Sequence, residues 1–186
     1  VVTDIDQESR GFNGTGGSLN IGAGSNNGGS DGPFTVDISD ATVAVGGEVC
    51  VDVAVSGFQD IVGMEFVVSY DETALEFTEI RNINLSDLNQ ASFGVQGSGN
   101  NQPGSIKLSW FDQAVNGVTV NNGTVIFQLC FRGLRNSSPV VGFAANPEII
   151  DQNNKLVTFN GDPGTITVGS GGSAFERFTL VAGGAT

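Results

Sequence analysis

The chain has 186 residues, a formal net charge of −13 with only seven Lys plus Arg, and no histidine. So few cations exclude a phosphate-neutralising nucleic-acid interface and attachment to an anionic membrane surface. Without imidazole, the usual general base of a catalytic triad and the commonest transition-metal ligand are both missing.

The length suits one domain with appendages, and no apolar run approaches the roughly 20 residues of a transmembrane helix. Residues 1–33 open on a short alternating piece, VVTDIDQESR, and continue as GFNGTGGSLNIGAGSNNGGSDGP, a flexible linker by composition. The chain begins without Met or a signal peptide, as expected of a processed or excised segment.

Residues 34–168 alternate between strand-like segments and Gly, Asn, Asp and Pro breaks. Strands are expected near 34–38, 48–55, 61–70, 73–80, 91–96, 104–111, 123–132, 139–145, 155–159 and 164–168. The two-residue period is clearest in Val49, Val51, Val53 and Val55, and in Val125, Phe127, Leu129 and Phe131. Turn chemistry supports the breaks at Gly46-Gly47, Pro103-Gly104, Asn122-Gly123 and Asp162-Pro163-Gly164. About ten short strands at this spacing predict an all-β, antiparallel sandwich. Residues 169–186 start with a second linker, GSGG, and return to alternation in SAFERFTLVA.

The order of segments resembles the cohesin modules of bacterial surface proteins and cellulosomes. VGMEFVVSYDETALEFTEI (62–80) is similar to their third and fourth strands, joined by a Tyr-Asp turn. GSIKLSWFD (104–112) resembles their sixth strand, GTVIFQLCFRG (123–133) their seventh and GTITV (164–168) their last. The segments, with their paired cysteines, also resemble cohesin-like surface domains of Bacteroidetes. This likeness implies a nine-stranded, jelly-roll-like sandwich without catalysis. It implies one sheet in the order eight, three, six, five, which docks a calcium-loaded dockerin, and another in the order nine, one, two, seven, four.

The two cysteines occupy EVCVDVAV (48–55) and GTVIFQLCFR (123–132), each on the polar side of its alternation. Under the resemblance these are strands two and seven, antiparallel neighbours, so Cys50 and Cys130 are expected to meet on the outer face as a disulfide; free thiols are the alternative. A bridge implies an oxidising compartment. Together with 28 glycines, 13 phenylalanines and few lysines, it gives a secreted, extracellular or cell-surface location as the expectation.

Candidate chemistry is sparse. Trp110 shares its parity with Ile106 and Leu108, and Tyr70 with Met64, Phe66 and Val68, so both read as core rather than sugar platforms. Carboxylates such as Asp71 and Glu72 have no aromatic platform to serve a glycosidase. Asp60, Asp71, Asp151, Asn153 and Asn154 could offer oxygen ligands, but no calcium-loop spacing is present. No metal or cofactor is therefore expected, with a structural calcium ion in a loop left open. Asn13, Asn84, Asn122 and Asn136 open glycosylation sequons, and the glycine clusters lack the Lys and helix of a phosphate loop.

The sheet implied to bind dockerin would show Glu65, Val67 and Ser69 from one strand and Lys107, Ser109 and Phe111 from its neighbour, although every sandwich has a solvated face. At the C-terminal end, Phe175, Phe178, Leu180 and Val181 make SAFERFTLVA a candidate donor strand for β-augmentation of another copy. A head-to-tail contact of that kind grows filaments. The first expectation is thus a secreted structural subunit that polymerises with other copies of itself. A cohesin-type module for a dockerin-like partner or surface adhesion comes second, a carbohydrate-binding module third and an enzyme last.

Overall fold

The structure, a computed structural model, describes residues 32–94, 103–144 and 146–169. The two terminal segments, with the candidate donor residues Phe175, Phe178, Leu180 and Val181, lie outside the described residues.

In chain order the strands are β1 (Thr35–Ile38), β2 (Ala41–Ala44), β3 (Glu48–Ser56), β4 (Ile61–Ser69), β5 (Leu75–Arg81), β6 (Phe93–Gly94), β7 (Ser105–Phe111), β8 (Thr124–Gly133), β9 (Val140–Phe143), β10 (Glu148–Asp151), β11 (Asn160–Asp162) and β12 (Gly164–Gly169). They form a sandwich of two sheets: β11-β1-β3-β8-β5, and β2-β12-β9-β4-β7-β6 with β10 on β4. The inward residues Val51, Val53, Val55, Phe127, Leu129 and Phe131 of the first sheet meet Met64, Phe66, Val68, Ile106, Leu108 and Trp110 of the second, and all twelve are buried.

The all-β sandwich expected from the alternation is present, and ladder pairing is mostly antiparallel. Two pairs, β1 with β11 and β2 with β12, are parallel. First and last strands therefore lie side by side, as the resemblance implies, but each is split between the two sheets. The last break has a local cause. Pro163 has no N–H for the ladder, and Gly164 packs so tightly that a Cβ would sit 2.5 Å from the carbonyl oxygens of Ile38 and Ser39.

Several boundaries differ from expectation. β2, β10 and β11 were not anticipated, and the 91–96 strand is reduced to Phe93–Gly94 among the described residues. The segment 155–159 is not a strand; only Leu156 forms a bridge, to Ile150. Three bulges also break the alternation, since Ile126, Thr78 and Val62 are extra residues in β8, β5 and β4. The first explains why Ile126 and Phe127 are both buried while Val125 is only half-buried.

β3 and β8 run antiparallel with Cys50 directly opposite Cys130, and the two form a disulfide. Both point away from the core, as the parity requires. Cys130 is nevertheless buried, because β8 is flanked by β3 and β5. Arg81 from β5 reaches over to Cys50, its guanidinium 4.0 Å from the sulfur.

The parallel β1–β11 pair places Asp37 opposite Asp162. Partial burial, then the facing Asp162 and nearby Asp40, raise the Asp37 carboxyl above its ordinary value of 3.8. A carboxyl raised on folding costs stability above its folded pKa, and this cost vanishes below the unfolded value. Asp37→Asn should therefore raise the melting temperature at pH 7, and its advantage should fade as pH falls through the carboxylate range in a thermal-melt series. Replacing both cysteines by serine, which opens an 80-residue separation, should lower unfolding free energy by about 4 kcal/mol in urea titrations.

Candidate protein-binding face

β4 and β7 form an antiparallel pair in the register Gly63↔Phe111, Glu65↔Ser109, Val67↔Lys107 and Ser69↔Ser105. Directly opposed residues share a side of the sheet. The intervening Met64, Phe66, Val68, Ile106, Leu108 and Trp110 are buried, which leaves all six sequence-derived candidates, Glu65, Val67, Ser69, Lys107, Ser109 and Phe111, on one outer face. Lys107 pairs with Glu65 at 2.7 Å across the strands. The pair is solvent-exposed and contributes little to stability. Phe111 is 60% exposed, a large apolar side chain in water at the end of β7.

The core side of these strands explains the aromatic residues. The Trp110 indole N–H donates to the Ser86 carbonyl at 2.7 Å, and its ring lies 5.9 Å from Phe58. Tyr70 meets Phe131 edge-on at 5.1 Å, and burial followed by the Glu72 charge raises its phenol pKa. Both rings are thus committed inward, as their parity predicts.

β10 extends the face on the other side of β4, with Glu148 opposite Glu65 and Ile150 opposite Gly63. Sequence reasoning missed these two positions, because EIID is too short to show a period. Asp112 was also missed. It follows Phe111 directly and is the one buried charged side chain among the described residues, 4% exposed. Its carboxylate accepts the N–H groups of Ala114 at 3.0 Å, Asn116 at 2.9 Å and Gly117 at 3.0 Å, while its own N–H donates to Val62. An Asp four residues ahead of Asn-Gly was the available signal for such a side-chain-closed turn. This turn fixes the end of β7 and hence the place of Phe111.

The outer face of the other sheet carries an open hollow of ≈ 540 Å³ lined by Asp52, Asn82, Ile83, Asn84, Val125 and Gln128. It contains no aromatic ring on which a sugar could stack. Among the described residues, no group of three or more His, Cys, Asp or Glu could hold a metal ion. The oxygen-bearing Asp151 instead accepts the N–H groups of Lys155 and Asn153, whose hydrogen bonds hold its carboxyl below the ordinary value. No helix among the described residues is long and apolar enough to cross a membrane.

The family model of the cohesin domain matches residues 34–168. The chain belongs to the cohesin family. Among solved structures, this cohesin is similar to the sixth cohesin of scaffoldin B from Acetivibrio cellulolyticus, solved in complex with a Cel5 dockerin mutant: 20% identity, TM-score 0.61, covering 74% of this chain and 99% of that one. It is also similar to the OlpA cohesin of Clostridium thermocellum in complex with Doc918, with 16% identity, TM-score 0.61 and coverages of 74% and 99%. A non-cellulosomal cohesin from the archaeon Archaeoglobus fulgidus matches at 20% identity and TM-score 0.59, with coverages of 75% and 93%. At such identities the likeness establishes the fold. No curated protein matches the chain.

Asp112→Ala strands three inward N–H groups without their acceptor. It should cost about 3 kcal/mol of unfolding free energy in urea titrations and speed amide exchange at residues 114–117.

Proposed function

We propose that this cohesin is an extracellular protein-binding module whose partner, a dockerin-like domain, docks on the outer face of β4 and β7. The observation that carries this reading is Phe111, a large ring left in water beside otherwise mixed, flat sheet surface. Exposed aromatic rings are enriched as the anchors of protein interfaces. Similar cohesins crystallised with dockerins supply the class of partner, and the disulfide fits an oxidising, extracellular setting. Glu65 and Ser109 lie next to the ring in register, and Val67, Lys107 and Ser69 continue the same face along the two strands.

Polymerisation through the terminal segments stands behind this reading, since its donor residues Phe175, Phe178, Leu180 and Val181 lie outside the described residues. A catalytic role has no support in the face: its carboxylates Glu65 and Glu148 come from adjacent strands of a flat sheet, not from opposite walls of a cleft.

The immobilised chain should retain a dockerin-like protein from the extracellular fraction of its source organism. Phe111→Ala should weaken that complex by about 30-fold, the equivalent of a 2 kcal/mol anchor, in surface-plasmon titrations. Equal affinity of the variant and the parent would remove this face as the docking surface.

A further inference from the structure

Gly63 lies within β4, a strand hydrogen-bonded on both sides, to β7 and to β10. Glycine weakens a strand interior, and it recurs there beside a bulge, where a positive φ is needed, where space forbids a Cβ, or where a ligand approaches closely. Gly63 borders the Val62 bulge, but neither a positive φ nor a shortage of space requires it to lack a side chain. Gly63 is not among the positive-φ residues. A Cβ on it would meet its first neighbours, the Ile150 Cβ and the Trp110 carbonyl oxygen, at 4.0 Å, an ordinary contact distance.

What surrounds it is apolar. Gly63 is directly opposite Phe111 on one side and Ile150 on the other, and Ile150 bridges to Leu156. These four residues form one row across the outer face. Phe111 is 60% and Leu156 73% exposed, so the row is two apolar walls with a bare backbone floor between them. Two strand spacings set Phe111 and Ile150 about 10 Å apart at the backbone, room for one inserted side chain.

Charge defines what stands beside that side chain. Glu65 is the next outward residue along β4, and Glu148 faces it from β10. Like charges directly opposite one another destabilise a sheet. Lys107 pairs with Glu65, but none of the ion pairs among the described residues includes Glu148. The chain as a whole carries −13. A cation brought by the partner relieves this pair.

We propose that the Phe111–Gly63–Ile150–Leu156 row is an anchor notch that accepts one large apolar side chain of a partner protein, with a Lys or Arg beside it on Glu65 and Glu148. The proposal rests on the reading of this face as a protein-binding surface, and it names the chemistry the partner presents there. The open floor at Gly63, beside the Val62 bulge, is what gives the inserted side chain its room.

The test uses a displayed library of helical hairpins, randomised on one face and selected against the intact chain. Selected binders should carry Leu, Ile, Met or Phe next to Lys or Arg. They should lose about tenfold or more in affinity for Gly63→Leu, which fills the floor. Gly63→Ala guards against a folding artefact: it should melt with the parent and show a smaller loss. Binders that keep full affinity for Gly63→Leu yet fail on Ser109→Arg overturn the notch and leave the face as the docking surface. Binders indifferent to both changes overturn notch and face together. Anchors flanked by Asp or Glu overturn the charge complementarity, and with it the proposal.

Discussion

The pairing of β3 with β8 is the contact on which the rest of the sandwich depends. It joins segments about 80 residues apart along a ladder from Glu48–Arg132 to Val55–Thr124, and the Cys50–Cys130 bridge fixes its register covalently. A one-residue slip would turn Val51, Val53 and Val55 outward together. With that register fixed, β1 and β5 find their edges on either side, and the inner surface of the sheet becomes a continuous floor of Val, Leu and Phe. The second sheet then has one way to lie: with Met64, Phe66, Val68, Leu108 and Trp110 down. The outward positions of β4 and β7, from Glu65 to Ser69 and from Lys107 to Phe111, follow from that choice by alternation.

Alternation was the legible part of the sequence because it is a property of one strand at a time. Val51 to Val55, Met64 to Val68 and Ile106 to Trp110 could each be assigned a face without knowing a neighbour. The departures are properties of pairs. The extra residues Ile126, Thr78 and Val62 exist only relative to the strands they face. The short β2, β10 and β11 have three or four residues each, too few to show a period, and are defined by parallel or edge pairing across the fold. The segment 155–159 reads as a strand because it is apolar. Val157 and Phe159 are instead packed side chains of a loop over the core, where Phe159 lies 5.8 Å from Phe66 and 5.2 Å from Phe143.

The same division holds for the site. Glu65, Val67, Ser69, Lys107, Ser109 and Phe111 were reachable from parity plus the likeness to cohesins. Gly63, Glu148, Ile150 and Leu156 were not, since their significance lies in being level with one another across four segments. Asp112 was missed for another reason. A carboxylate between Phe111 and Gln113 reads as a solvated turn residue, and only the closure of the turn upon it, with three N–H donors converging, makes it a buried support.

The two outer faces of the sandwich differ in how far they are already satisfied by the chain itself. Across β3, β8 and β5, polar side chains are spent on one another: Arg81 reaches Glu48 and Glu79, Arg132 reaches Glu76, and the Gln128 amide donates to Asp52 at 2.6 Å. A partner landing there would have to break or desolvate these contacts, a cost that buried polar groups rarely recover. Across β10, β4 and β7 the described residues form one ion pair, Lys107–Glu65, beside Glu148, Phe111, Ile150, Val67 and Ser109 over a glycine. Little must be dismantled to cover that surface, and covering it removes a large ring from water. The disulfide belongs to the first face, with the Arg81 guanidinium over Cys50. Among the described residues, the side-chain cross-links on the outer faces are thus concentrated on the disulfide-bearing sheet.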